Sequence, residues 1–294
     1  MKITTYQFTN LAMNETLFRI HRAYYLVPLL LFCASISVAQ HQHRPLAGAR
    51  SVGMGGTGLL FQDVHAVFSN PAGLAHLEAA AVLTFAEQRF VNSPIQRIGA
   101  AAAYPTTFGT IGGTIHNFGI EDYQERRIGL AYARQLFDNL TIGAQFNYFQ
   151  TLQTFYGNRS LLNAEVGFQL RMSNELQLGA HIYNPIPVQF SEDLRLPSVF
   201  TTGLSYAPSE RLMLMAELEK EMNDTLRFRA GVEYNFGDLF YMRAGVATQF
   251  QQVSFGLGVA LDNGLRLDVA AMYHSLLGVS PSVGIAYGFR QTEQ

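Results

Sequence analysis

The chain has 294 residues, of which 48% are hydrophobic and only 14% charged, with a formal net charge of −2. Soluble domains carry roughly 25% charged residues, so a surface solvated throughout by charge is excluded, and near-neutrality offers nucleic acid no electrostatic footprint. After the N-terminal region no stretch approaches the roughly 18 apolar residues of a spanning helix, which leaves a transmembrane β-barrel as the economical class.

At the N-terminus Arg19 and Arg22 form a basic region, 24–38 (YYLVPLLLFCASISV) an apolar one, and Ser37-Val38-Ala39 a small-x-small cleavage site. These parts in this order spell a signal peptide over 1–39, with Met13 as an alternative start and Gln40 as the first mature residue. Cys33 is the only cysteine. It falls inside the signal behind the bulky Phe32, which argues against lipid attachment, so the mature chain has no disulfide or thiolate chemistry. His41 and His43 read as part of an unstructured terminus rather than a metal site, and neither metal nor cofactor is expected.

Residues 40–78 form a segment unlike anything else in the chain. Its core, 48–77, is Gly-rich, then briefly helical, then turned by Asn70-Pro71-Ala72. Asp63 is placed to cap a short helix over 64–68 by accepting from free backbone N–H groups. Asn70 is placed to cap the next turn, with Pro71 at the first helical position, where its missing N–H costs nothing. A lone segment of this kind before many repeated strands is read as a plug that folds back into a barrel formed by 79–294.

From 79 onward the pattern is strand, turn, strand. Over 226–236, Leu226, Phe228, Ala230, Val232, Tyr234 and Phe236 alternate with Arg227, Arg229, Gly231, Glu233 and Asn235, as lipid-facing and lumen-facing residues should. The same alternation occupies 140–148, 162–170, 176–182, 212–218, 240–248, 253–261 and 265–273, with weaker forms at 82–90, 96–104, 109–117, 126–134, 198–206 and 282–289. Fourteen strands result, an even number as a bacterial barrel requires. Connections alternate short (136–139, 172–175, 208–210, 235–238, 262–264) and long (117–126, 153–160, 184–197, 274–281). Aromatic belts are expected from Tyr104, Tyr206, Tyr234, Tyr287 and Phe289 at one rim and from Tyr148, Tyr183 and Tyr273 at the other. There is no Trp to share that role.

Inward positions carry many glycines: Gly143, Gly167, Gly179, Gly231, Gly245 and Gly256, with Gly258. A strand glycine marks close approach of another backbone or a bend, so either the plug packs there or the glycines ease curvature. Inward charges come in both signs. Arg127, Arg171, Arg227, Arg229, Arg243 and Arg266 face Glu165, Glu217, Glu219, Glu233 and Asp268, and this mixture reads as a paired structural network lining the lumen.

The run ARSVGMGGTGLLFQDVHAVFSNPAGLA (49–75) resembles the N-terminal hatch of FadL-type outer-membrane transporters. It is more similar still to the PorV/PorQ group of Bacteroidota, in which a Gly-Met-Gly segment, an acidic residue and Asn-Pro-Ala follow in this order. The resemblance continues over 184–236. It implies a fourteen-stranded barrel with an N-terminal plug in the outer membrane. The FadL branch admits long-chain fatty acids and other hydrophobic compounds; PorV serves the type IX secretion system. This chain departs from both, because its connections are too short to gather a ligand and PorV is larger.

No enzyme is expected, since His65 and the pair His274-Ser275 lack a visible third partner. The leading reading is an outer-membrane barrel in contact with lipid that passes a small hydrophobic molecule past its plug. The alternatives are a PorV-like partner of secretion-system proteins and a sealed structural barrel. On the transport reading, Leu in place of Gly231 and Gly245 is expected to narrow a path beside the plug and slow entry.

Overall fold

The structure, a computed structural model, describes residues 48–154, 157–186, 188–191, 194–222, 225–248 and 251–289. The signal peptide expected over 1–39, and the start of the segment after it, lie outside the described residues. The first strands are β1 (Ala81–Gln88), β2 (Gln96–Thr106), β3 (Gly109–Ile120), β4 (Tyr123–Phe137), β5 (Leu140–Gln153), β6 (Gly157–Arg171) and β7 (Leu176–Tyr183). A small hairpin follows, β8 (Val188–Ser191) with β9 (Leu194–Leu196). Then come β10 (Val199–Ser209), β11 (Leu212–Glu221), β12 (Arg227–Phe236), β13 (Phe240–Ala247), β14 (Gln252–Ala260), β15 (Leu265–His274) and β16 (Gly278–Gly288).

All strands except the hairpin close into one antiparallel barrel of fourteen, in sequence order, with β1 returning to β16. The closing seam pairs Ala81 with Gly288 and Glu87 with Ser282. Closure removes every sheet edge, so each strand finds hydrogen-bond partners on both sides, as a hydrocarbon surrounding demands. Along β12, Arg227, Arg229, Gly231, Glu233 and Asn235 are buried inside while Phe228, Tyr234 and Phe236 are exposed outside. Apolar-out and polar-in is the arrangement of a membrane barrel. No helix among the described residues is long and apolar enough to cross a membrane.

One rim carries the start of β1, the end of β16 and the turns 107–108, 138–139, 172–175, 210–211, 237–239 and 261–264. We call it the terminal rim. At the opposite rim three connections expected to be long are tight. The strands run on until only 121–122, 154–156 and 275–277 separate them. The polar residues there, such as Gln124, Arg126 and Asn158, end the apolar alternation but not the backbone ladder. Thus β4, β5 and β6 reach 15, 14 and 15 residues, against the roughly 9–11 that span a membrane. They overhang by about 15 Å at about 3.3 Å per residue, whereas β13 has only 8 residues.

The belts hold for Tyr104, Tyr206, Tyr234, Phe289, Tyr148 and Tyr273, all exposed, with Tyr287 half-buried. Tyr183 does not belong to them. It shares the inward parity of His181, is fully buried, and packs with Phe149, Leu161, Leu196 and Val199. The main hydrophobic core also lies within the barrel. Met54, Leu59, Leu60, Phe61, Val67, Phe68 and Leu74 pack there against Leu83, Phe85, Ala101, Ala131 and Met215 of the wall.

Candidate functional site

The segment 48–77 runs around the inside of the wall. A short helix, Gly48–Gly53, rests on β13 to β16 and on β1. A 3₁₀ turn, Val64–Phe68, touches β1, β2 and β3, and a second, Pro71–His76, touches β3 to β6. Residues 54–60 complete the circuit. Met54 meets Gly231, the backbone N–H groups of Gly58 and Leu59 meet Glu217, and Leu60 meets Gly179.

Local chemistry explains the turns. Asp63 Oδ1 accepts from the His65 backbone N–H at 2.9 Å, and Asn70 Oδ1 accepts from the Ala72 N–H at 3.2 Å with Pro71 first in the turn. The Asn70 amide also donates to the carbonyls of Leu59 and of Phe168 in the wall, both at 3.1 Å. Asn70 therefore ties the turn to its own chain and to β6 at once. Gly55, at φ 72°, sits where an L-residue is strained. A Cβ there would also lie 2.7 Å from the Val246 backbone nitrogen.

The wall glycines face this segment. Gly143 faces the Pro71–Ala72 backbone, Gly167 the Asn70 side chain, and Gly179 faces Leu60. Gly231 faces Met54 and Thr57, Gly245 the Met54–Gly55 backbone, and Gly256 the Cα of Gly53. Close approach, rather than curvature, accounts for each of them. Gly258 differs, since it faces the side chains of Arg243 and Asp268.

Two carboxylates of the wall grip the segment. Glu233 takes the Arg50 guanidinium in a two-point fork, at 2.9 and 2.6 Å, and Arg50 reaches Asp63 at 2.5 Å. Glu233 also accepts from Arg243 at 2.5 Å and Arg266 at 3.2 Å, while Arg243 pairs with Asp268 at 2.7 Å. A buried charge is tolerable when paired and hydrogen-bonded, and three arginines here meet three carboxylates. Glu217 accepts from the Gly58 and Leu59 N–H groups at 2.6 and 2.7 Å. Arg227 and Arg229 share Glu219 at 3.0 Å each. Burial works to raise the Asp63 carboxyl, but His65 and Arg50 outweigh it and hold the group well below the usual carboxylate range.

Two expected lumen residues lie elsewhere in the lumen. Glu165 binds His181 at 2.9 Å and Asn147 at 2.7 Å, and Arg127 lies over the Tyr183 ring at 4.9 Å. Arg171 stands at the mouth of the lumen. It has inward parity but sits exposed at the terminal rim, donating to the Asp138 carbonyl at 2.7 Å, because β6 ends there. Residues not singled out from the sequence complete the grip: Arg50, Gln169, which donates to the Leu59 and Phe61 carbonyls, and Ser254. Arg50 is the only arginine in the Gly-rich segment, a signal that could have marked it. Among the described residues no group of side chains is arranged to hold a metal ion.

No protein-family model matches the chain, and no curated protein is similar to it in sequence. Solved structures do resemble it. The toluene transporter TodX of P. putida matches with a TM-score of 0.68 at 13% identity, over 84% of this chain and 100% of that one. The toluene transporter TbuX of Ralstonia pickettii gives 0.67 at 14%, over 83% and 98%. A FadL homologue of Pseudomonas aeruginosa gives 0.64 at 13%, over 84% and 99%. At such identity the likeness is one of fold, and the fold is that of a FadL-type barrel.

Proposed function

We propose that this chain is an outer-membrane barrel plugged by residues 48–77, that the terminal rim faces the periplasm, and that it passes a small hydrophobic solute when the plug shifts. The observation that carries this is the circuit: a segment seated in wall glycines all around the lumen leaves passage dependent on its displacement. The structures it resembles include transporters of toluene, which supports a hydrophobic solute. Residues 1–39 are removed on export in this reading, which the mass of the mature protein checks. The direct test measures uptake of radiolabelled toluene and of a long-chain fatty acid by cells with and without the protein. Equal uptake in both would overturn the transport reading.

The tight connections favour a second reading. Connections of only two or three residues between strands, at 121–122, 154–156 and 275–277, leave little to gather a ligand, which suits a PorV-like accessory of the type IX secretion system, or a sealed structural barrel. A cargo protein retained in cells that lack the chain, with normal uptake, would put the accessory first. Normal cargo release and normal uptake together would leave the structural barrel.

A further inference from the structure

The outward face of the wall holds an apolar groove of about 420 Å³, inside the range of about 300–1,000 Å³ found for small-molecule sites. Its floor is Ala144 on β5 and Ala180 on β7, and its sides are Ile142, Tyr132, Phe168 and Phe200. Tyr132 stands opposite Ala144, and Phe168 stands between Ile142 and Ala180 on the neighbouring strands. Large residues thus flank two small ones on β5 and β7, the strands on either side of β6, and the depression follows from that difference in size. The wall is thin here, because Gly143 and Gly179 face inward beside the two alanines.

The groove reaches the terminal rim. The Tyr132 hydroxyl donates to the Phe108 carbonyl in the turn 107–108 at 2.5 Å, which fixes that side of the groove at the rim. Arg134 has the same outward parity, is exposed, and lies opposite Ile142 of the groove, two positions nearer the rim than Tyr132. It has no hydrogen bond or ion pair among the described residues. An outward arginine is costly at mid-membrane and tolerated at the interface. A guanidinium there presents a fork matched to phosphate.

We infer that the groove seats one acyl chain of a phospholipid of the surrounding bilayer, with its phosphate held by Arg134. The inference rests on the membrane reading above. Continuity with the lipid-facing wall selects a bilayer lipid, and the cation at the mouth selects one with an anionic head. A free hydrocarbon would fill the groove with no use for Arg134.

Native mass spectrometry after extraction from nanodiscs into a delipidating detergent tests it, with phosphatidylglycerol and diacylglycerol of matched chains offered in turn. The native chain should keep one phosphatidylglycerol per barrel. Ala144→Phe with Ala180→Phe fills the groove, apolar for apolar, and should cut retention of both lipids at least tenfold. Arg134→Gln should weaken retention of phosphatidylglycerol about tenfold and leave diacylglycerol unchanged. Undiminished retention in the double variant overturns the site. Equal retention of the two lipids by the native chain, or no effect of Arg134→Gln, reduces it to a hydrocarbon groove and overturns the phosphate assignment. Failure of the native chain to enter nanodiscs would overturn the membrane reading and this site with it.

Discussion

Replacing Gly245 with Leu puts a branched side chain where the backbone of Met54 and Gly55 now lies. The strand cannot yield without breaking its ladders to β12 and β14, so the segment must. Overpacking costs about 1–3 kcal/mol. Two hydrogen bonds go with it, from the Gly55 N–H to Ser254 Oγ at 2.8 Å and from Ser254 Oγ to the Gly53 carbonyl at 3.1 Å, at about 1 kcal/mol each. Unseating the fully buried Met54 adds about 2 kcal/mol. The hold on the segment then falls by about 5–7 kcal/mol, or roughly four to five decades in its closed-to-open ratio at 1.4 kcal/mol per decade. Planar-bilayer recording should show conductance rising toward that of a chain lacking 48–77, because a barrel of this size sits near those that hold a water channel. Val246→Leu, on the outward face of the same strand, should change nothing. Solute entry should speed up rather than slow down, the reverse of what a glycine-lined path beside the plug implies. Unchanged or lower conductance in Gly245→Leu, with insertion and heat-modifiable gel mobility intact, would refute the seating argument.

Arg in place of the outward, exposed and mid-strand Phe255 or Val269 should cost about 2–4 kcal/mol at mid-membrane, read as a lower denaturant midpoint in bilayers; a cost equal to that of Asp262→Arg in the turn 261–264 would sink the register. Glu217→Ala strips two buried N–H groups of their acceptor, at about 1–3 kcal/mol for each donor left unpaired, and should raise the frequency of opening events well above that of Glu217→Gln, which keeps one oxygen. Asp63 has its carboxyl held low in the folded chain, so its contribution is complete above the unfolded value and lost as pH falls through the folded one. Closure should therefore weaken as pH falls below about 4, and Asp63→Asn should shrink that acid step, with Glu233 still holding Arg50.

The barrel was legible because its signal is local and repeats: apolar and polar residues at period two identify a strand wherever they occur. The caps at Asp63 and Asn70 were legible for the same reason, since a cap and its N–H partner lie two residues apart. The overhangs of β4, β5 and β6 were not, because beyond the apolar band the alternation stops while the ladder continues. Parity alone did not show that Arg171 is exposed, which needs the strand end as well as its face. The grip on the segment was the least visible part. Arg50 and Glu233 are 183 positions apart, and nothing in either neighbourhood announces the other. The meaning of the wall glycines likewise depended on what stands in front of them.

The helix Gly48–Gly53 rests on β1 and on β16, the two strands that meet at the closing seam. Ala81 and Gly288 enclose nearly the whole barrel between them, so pairing them closes a long loop against its entropy. An element packed on both strands fastens that seam from inside, beside the ladder between them.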